Sequence, residues 1–297
     1  MGIILSQESK VIVQGITGNE GRFHTASMLQ YGTKVVAGVT PGKGGHQAEG
    51  LPVYNTVVEA VANHGADTSI IFVPARFTRS AALEAIDAGI KLLVILTEGI
   101  PMHDSMKIKA FAREKGARVI GPNTPGLVTV GQCRLGLLDT HHVMPGNIGV
   151  ISRSGTLTTE ITASMVNEGV GQSTIVGIGG DGVVGSTIKD ILTLFEKDNK
   201  TKGVVVIGEI GGTMEEEAAE FVRKKMTKPV VAWIAGRNAP EGKRLGHAGA
   251  IVEGGMGTAE SKLRALTQAK IAIAEAPWEV GKLMKEALKK GVRSKKK

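Results

Sequence analysis

Short runs of aliphatic and β-branched residues recur along the whole chain, each followed by a stretch with helical character. Ile70-Ile71-Phe72-Val73 and Leu92-Leu93-Val94-Ile95-Leu96 are near-continuously apolar rather than alternating. Strands of this kind need cover on both faces, and a strand–helix–strand rhythm provides it in a parallel sheet. The chain therefore reads as a parallel α/β protein. In its first half strands are predicted over 10–15, 34–39, 69–74, 91–97 and 117–121, with helices near 21–31, 56–63, 77–88 and 102–115. Residues 122–146, rich in Gly, Pro and polar side chains, break the rhythm and read as a connection between domains. The alternation then restarts, with strands over 148–152, 173–178, 203–208, 229–235 and 270–274. Helices fit at 156–168, 186–196, 214–226, 258–267 and 278–290. The expected architecture is two five-stranded parallel units in tandem. In open sheets of this type ligands bind outside the carboxyl ends of the strands. Gly clusters follow Gln14, Val39, Ser152, Ile178, Glu209 and Ala235 at those ends.

Composition narrows the class of ligand. The 297 residues leave room for two domains, and 42% hydrophobic with 22% charged content is that of a globular protein. No apolar run approaches the roughly 18 residues of a membrane span. The first ten residues lack the basic and apolar regions of a secretory signal, and a single cysteine, Cys133, forms no internal disulfide. A cytoplasmic protein is expected. The net charge of +8 gathers largely in the tail over 289–297, and aromatics make up only 3%, leaving few platforms for stacking bases. Nucleic acid is not the expected partner; small anions fit this balance.

Two Gly-rich turns in the first half suit a phosphate. Gly15-Ile16-Thr17-Gly18-Asn19-Glu20-Gly21 carries a strand into a helix through spaced glycines, which aims N–H groups and a helix N-terminus at an anion. After the second strand a nicotinamide-binding protein places a carboxylate for the ribose hydroxyls. Here the chain reads Val39-Thr40-Pro41-Gly42-Lys43-Gly44-Gly45, with no carboxylate before Glu49. A lysine in a Gly-rich loop suits an additional phosphate, as found on the adenosine ribose of NADP and of coenzyme A. Thr97-Glu98-Gly99 closes the fourth strand on the same rim.

In the second half Ser152-Arg153-Ser154-Gly155-Thr156 opens a helix directly after a strand. Ser154 and Thr156 can cap the helix, and the same turn cradles a single phosphate group. Glu209 ends an apolar strand, where a carboxylate is costly without a partner. His247, in Gly246-His247-Ala248-Gly249-Ala250, lies among small residues that leave an imidazole approachable from several sides. A carboxylate on one ring nitrogen sets the tautomer and leaves the other as a nucleophile, so Glu209 is its expected partner. No His/Cys cluster has metal-ligand spacing. The Glu215-Glu216-Glu217 triplet reads as a first-turn cluster serving the helix dipole. His141-His142 reads as exposed surface, and His24, His46, His64 and His103 lack a comparable setting.

Together these motifs resemble, in order and over nearly the whole chain, the α subunit of succinyl-CoA synthetase (succinate–CoA ligase), with archaeal members in particular. They are the turn at 15–21, the Thr40–Gly45 loop, Gly121-Pro122-Asn123, Ser152–Leu157, Gly208–Gly212 and Gly246–Ile251. The resemblance implies a Rossmann-like CoA-binding domain over 1–125. A flavodoxin-like parallel α/β domain over 126–297 would follow, carrying a phosphohistidine. It implies the reaction succinate + CoA + NTP ⇌ succinyl-CoA + NDP + phosphate through succinyl phosphate and a phosphorylated histidine. Carried over by position, His247 is the phosphorylated residue and Glu209 its orienting carboxylate. Ser154, Gly155 and Thr156 hold the phosphate. Thr17, Gly18, Asn19, Glu20, Lys43, Leu96, Thr97 and Glu98 line the CoA site. Coenzyme A is then a substrate. Mg²⁺ and ATP or GTP belong to an ATP-grasp β subunit, to whose nucleotide site the phosphohistidine moves.

Four positions depart from the common bacterial pattern. Thr124 stands where Cys is frequent, Gly182 where Pro is usual, and Arg76 where Pro is typical, adding charge near the expected adenine end of CoA. Thr159 stands where Tyr is frequent and bears on the acid substrate. The alternatives are a ligase for another short acid such as malate, or a CoA-binding regulatory protein without the chemistry.

Overall fold

The structure, a computed structural model, describes residues 2–237, 246–252 and 257–294. Lys243, Arg244 and Leu245 of the histidine motif and Lys295, Lys296 and Lys297 of the basic tail lie outside the described residues. The chain divides into two compact units: one runs to Leu138 and takes in Val183–Ser186, and the other holds Asp139–Gly182 and the chain from Thr187 onward.

The first unit contains β1 (Val11–Gln14), α1 (Asn19–Gln30), β2 (Val35–Val39), β3 (Gln47–Ala48), β4 (Leu51–Tyr54), α2 (Val57–His64) and β5 (Thr68–Ile71). It continues with α3 (Ala75–Asp87), β6 (Leu92–Ile95), α4 (Met102–Lys115), β7 (Arg118–Ile120), β8 (Gly126–Thr129) and β9 (Cys133–Gly136). One sheet has the order β3-β4-β2-β1-β5-β6-β7, parallel throughout except for the β3–β4 pair. Counted in chain order, its parallel strands run 3-2-1-4-5-6, the doubly wound Rossmann order whose connections reverse between β1 and β5. Val11, Ile12 and Val13 are fully buried, as the apolar run requires. Helix α2 begins at a capping box: Thr56 Oγ1 accepts from Glu59 N–H, and Glu59 Oε2 accepts from Thr56 N–H.

Two elements exceed what the pattern announces. Strands β3 and β4 lengthen the expected five-stranded sheet. Each is short, and β4 carries Pro52 opposite Gln47 near the edge of the sheet. The segment expected to be only a connection, 122–146, carries the antiparallel hairpin β8–β9. Its partners are distant in sequence: Thr33 Oγ1 donates to the Arg134 carbonyl (2.7 Å), Arg134 Nη2 to Ser27 Oγ (2.7 Å), and Thr129 Oγ1 to the Leu5 carbonyl (2.8 Å). Gly and Pro at its turns hide short strands that long-range bonds such as these help hold in place.

The second unit contains β10 (Pro145–Ser152), α5 (Gly155–Asn167), β11 (Gln172–Gly177), α6 (Ile188–Lys197), β12 (Gly203–Glu209) and α7 (Met214–Lys225). Then come β13 (Val230–Ala235), α8 (Ala259–Gln268), β14 (Ala272–Ile273) and, after a 3₁₀ turn at Pro277–Glu279, α9 (Val280–Ser294). The five strands run β14-β13-β12-β10-β11, all parallel, which in chain order is 2-1-3-4-5. That is the flavodoxin-like order, and its reversal point falls between β10 and β12. Both expected fold classes are borne out. Helix α6 shows why a helix forms where it does: Ile188, Ile191, Leu192 and Phe195 are buried at helical spacing behind a Thr187–Asp190 capping box.

Candidate active site

In the second unit three neighbouring strands, β11, β10 and β12, end together, and the residues just past their ends build one site. Ser152 pairs with Gly177 on one side and Ile207 on the other. The next residue, Arg153, donates its N–H to the Ile207 carbonyl (3.1 Å) and then sends its side chain inward beneath the end of β12. Glu209 closes β12. Its carboxylate Oε2 lies 2.8 Å from His247 Nδ1, and its Oε1 lies 3.1 Å from Arg153 Nη2. A carboxylate at Nδ1 favours the tautomer protonated there, and in that tautomer Nε2 is the nitrogen able to act as a nucleophile. The His247 side chain keeps 27% exposure while that of Glu209 keeps 7%. The base is reachable; its anchor is sealed.

Two backbone contacts explain the small residues around His247. A Cβ at Gly180 would run into Cγ and Nδ1 of the imidazole, so the ring rests directly on backbone. Gly249 N–H donates to the Gly180 carbonyl (2.9 Å), and Ala250 N–H to the His247 carbonyl (3.1 Å), which holds the loop in a tight turn. At the start of α5, Ser154 is the N-cap and accepts from Leu157 N–H (3.4 Å). The remaining first-turn N–H groups, at Gly155 and Thr156, lie at the positive end of the helix dipole, beside the strand that Glu209 terminates. Thr159 lies one turn further along α5, half-buried.

In the first unit a cleft of about 510 Å³ opens at the carboxyl ends of β1, β2 and β5, where the sheet order reverses. Thr17, Gly18, Thr40 and Pro41 form one wall, and Phe72, Pro74 and Phe77 supply an apolar opposite wall. Gly15 turns with φ of +82°, open to a residue without Cβ. Gly21 is needed for space instead: a Cβ there would strike the Gly15 carbonyl oxygen. Gly18 caps α1, whose first turn carries Asn19 and the exposed Glu20. Lys43 sits exposed on the loop held by Asn55 Oδ1, which accepts from Gly42 and Gly44 N–H (2.9 Å each). Thr97 Oγ1 donates to the Val73 carbonyl (2.9 Å), tying the Leu96–Glu98 turn to the cleft wall.

A CoA binding domain family matches residues 6–99, and a CoA-ligase family matches residues 151–272. The chain is 54% identical to an ADP-forming succinate–CoA ligase α subunit of Archaeoglobus fulgidus, over 97% of this chain and 100% of that protein. It is 52% identical to the corresponding subunit of Aquifex aeolicus, over 97% of this chain and 95% of that one. The chain belongs to the succinate–CoA ligase α-subunit family. Its members are acid–CoA ligase subunits, and the N-terminal match makes the first unit a CoA-binding domain. Among solved structures, the ATP citrate lyase of Methanothrix soehngenii in complex with citrate and coenzyme A superposes with a TM-score of 0.89 at 27% identity, over 98% of this chain. This chain spans about half the length of that lyase, 51%.

For a succinate–CoA ligase α chain, one reading of the sequence needs revision. The Glu215–Glu217 triplet does more than complement a dipole. Glu215 is fully buried and pairs with Arg153 Nη1 (3.2 Å) and Lys262 Nζ (2.5 Å), while Glu216 meets Lys262 Nζ at 3.0 Å. The Arg153 side chain, 1% exposed, is the residue that sequence reasoning passed over. It lies in the Ser152–Thr156 turn, where an arginine looks like surface until its partners are known. Phe72, Pro74 and Phe77 were likewise unremarked as cleft residues. The other histidines with contacts find bland ones: His64 meets the Tyr54 hydroxyl (2.9 Å), His141 meets Asp139 at the surface (2.7 Å), and His24 stacks on Phe72 with ring centroids 5.6 Å apart. Among the described residues no helix is long and apolar enough to cross a membrane.

Proposed function

We propose that this chain is the catalytic α subunit of an ADP-forming succinate–CoA ligase, running succinate + CoA + ATP ⇌ succinyl-CoA + ADP + phosphate. The observation that carries this reading is the His247–Glu209 pair, 2.8 Å apart at the rim of a flavodoxin-like sheet, beside a helix N-terminus able to hold a phosphate. In the direction of thioester synthesis His247 Nε2 forms a bond to the γ-phosphorus of ATP as the bond to the ADP oxygen breaks. Glu209 keeps the proton of Nδ1 and balances the charge that develops on the ring. The phosphoryl group then passes to a carboxylate of succinate, and the ring returns to its neutral form. Attack of the CoA thiolate on the acyl phosphate forms the C–S bond and releases phosphate. Gly155 and Thr156 N–H groups, with the Ser154 turn, would hold the phosphoryl oxygens. Thr17 to Glu20, Lys43 and Leu96 to Glu98 would line the CoA site, with Lys43 on the ribose phosphate. Thr159 would bear on the acid.

Mg²⁺ and the nucleotide are read as held by an ATP-grasp β subunit, and the enzyme as cytoplasmic. The designation α in the names of relatives at 52 to 54% identity supports a partner, and "ADP-forming" in those names favours ATP over GTP. Incubating the α/β complex with γ-labelled ATP and Mg²⁺ tests the reading. An acid-labile label should appear on His247, and label that persists in His247→Ala sinks it. Comparing kcat/KM for succinate and malate decides the acid.

A further inference from the structure

We infer that Arg153 is a positioning residue for phosphoryl transfer at His247, locking the orienting carboxylate and the histidine loop into one register. The inference rests on the reading of His247 as the phosphorylated residue. Its basis is the set of groups that one guanidinium joins. Arg153 Nη2 reaches Glu209 Oε1 (3.1 Å), the carboxylate oxygen opposite the one that holds His247. The same nitrogen reaches the Gly249 carbonyl (3.5 Å), two residues beyond the histidine. Nη1 serves the carbonyls of Glu209 (3.2 Å) and Gly211 (3.1 Å), fixing the turn that leaves β12, and also Glu215 Oε1 (3.2 Å). Glu209 and His247 come from segments 38 residues apart, and Arg153 contacts both.

The guanidinium is itself held from behind. Glu215, with no exposed side-chain surface, accepts from Arg153 through Oε1, which also takes the Glu209 N–H (3.2 Å), and from Lys262 through Oε2 (2.5 Å). Lys262 is equally buried and reaches the Gly212 carbonyl (2.9 Å) and Glu216 (3.0 Å). Buried charges are retained at a cost in desolvation and need full pairing. Here two cations sit among three carboxylates, and the chain places this arrangement beneath one half-buried imidazole. A planar fork can span both ends of the array; the single nitrogen of a lysine cannot.

A double-mutant cycle separates positioning from general support of the fold. In the α/β complex, single-turnover labelling of His247 by γ-labelled ATP is followed for wild type, Arg153→Lys, Glu209→Gln and the double variant, beside CoA affinity and thermal midpoints. Arg153→Lys is expected to slow labelling about tenfold in the wild-type background and less than about twofold on top of Glu209→Gln, with CoA affinity unchanged. Equal losses in both backgrounds, or no loss in either, overturn the inference. Should Arg153→Lys fail to fold, Glu215→Gln enters the same cycle. It is expected to slow labelling about threefold, and again only when Glu209 is intact; additive losses there overturn the inference equally. A wild-type complex that takes no label on His247 sinks the proposed function and this inference together, whereas label on His247 with additive losses sinks this inference alone.

Discussion

The imidazole of His247 lies against the backbone of Gly180, so close that even a methyl group at 180 would overlap ring atoms Cγ and Nδ1. The His247 loop and the loop after β11 are thus packed in contact and joined by the Gly249 N–H to Gly180 carbonyl bond (2.9 Å).

Gly180→Ala should therefore push the ring away from Glu209 without touching any group that does chemistry. A displacement on the order of 1 Å at a reacting group costs about a hundredfold in rate. Labelling of His247 should fall by about that factor. CoA affinity, measured by calorimetry, should not change, because the expected CoA residues lie in the other compact unit.

Glu209→Gln retains the shape of the side chain but removes the charge that faces both His247 and Arg153. We expect turnover to drop by about a hundredfold with CoA binding kept, in line with losses seen on removing groups that orient a catalytic or ligating histidine. Weakened CoA binding as the sole effect would show that the carboxylate has another role.

Lys43→Ala should weaken binding of CoA by about tenfold, the worth of one charge-assisted contact, and leave dephospho-CoA, which lacks the ribose phosphate, unaffected. Equal losses for the two ligands would move the phosphate contact elsewhere. The lysine is exposed on a loop that Asn55 holds by two backbone N–H groups, so its removal should leave stability unchanged.

Lys262→Met should destabilise the second unit by about 3 kcal/mol, because it removes one of the two cations paired with the buried carboxylate of Glu215 and leaves Oε2 without its donor. Urea denaturation followed by far-ultraviolet circular dichroism reads this directly. A surface lysine replaced in the same way, such as Lys224, which pairs with exposed Glu220, should leave the denaturation midpoint nearly unchanged.

His24 makes stability depend on pH. Burial, chiefly, holds its pKa below the ordinary 6.5, with Arg134 acting in the same sense against the pull of Glu20. The neutral ring is then the folded form, and the unfolded chain binds the extra proton first. Its contribution is fully present above pH 6.5 and is lost as the pH falls below that value toward the depressed folded pKa. Thermal midpoints measured from neutral pH downward should fall less steeply for His24→Asn than for wild type.

Much of this protein is legible along the chain, and particular residues show why. The run Val204-Val205-Val206-Ile207 announces a doubly covered strand, and Gly15, Gly18 and Gly21 announce a tight strand-to-helix turn of the kind that suits an anion. His247 and Glu209 stand out because each is chemically misplaced: an imidazole with no side chains to bury it, and a carboxylate at the end of an apolar strand. The hairpin β8–β9 and the cleft wall at Phe72, Pro74 and Phe77 leave no such local trace. Their order comes from partners such as Thr33, Ser27 and Leu5, which no window of a few residues contains.

By itself, then, the sequence determined the strand–helix alternation, the Gly-rich turns at the strand ends and the pairing expected between His247 and Glu209, since periodicity, capping and side-chain chemistry are short-range properties. Only the tertiary structure decided the strand orders, which place the switch points between β1 and β5 and between β10 and β12. It alone turned Arg153, Glu215 and Lys262 from ordinary surface-type residues into a sealed charge array. The pairs in that array are 47 to 62 residues apart, and burial raises the worth of a charge pair only once the fold has removed the water between its members.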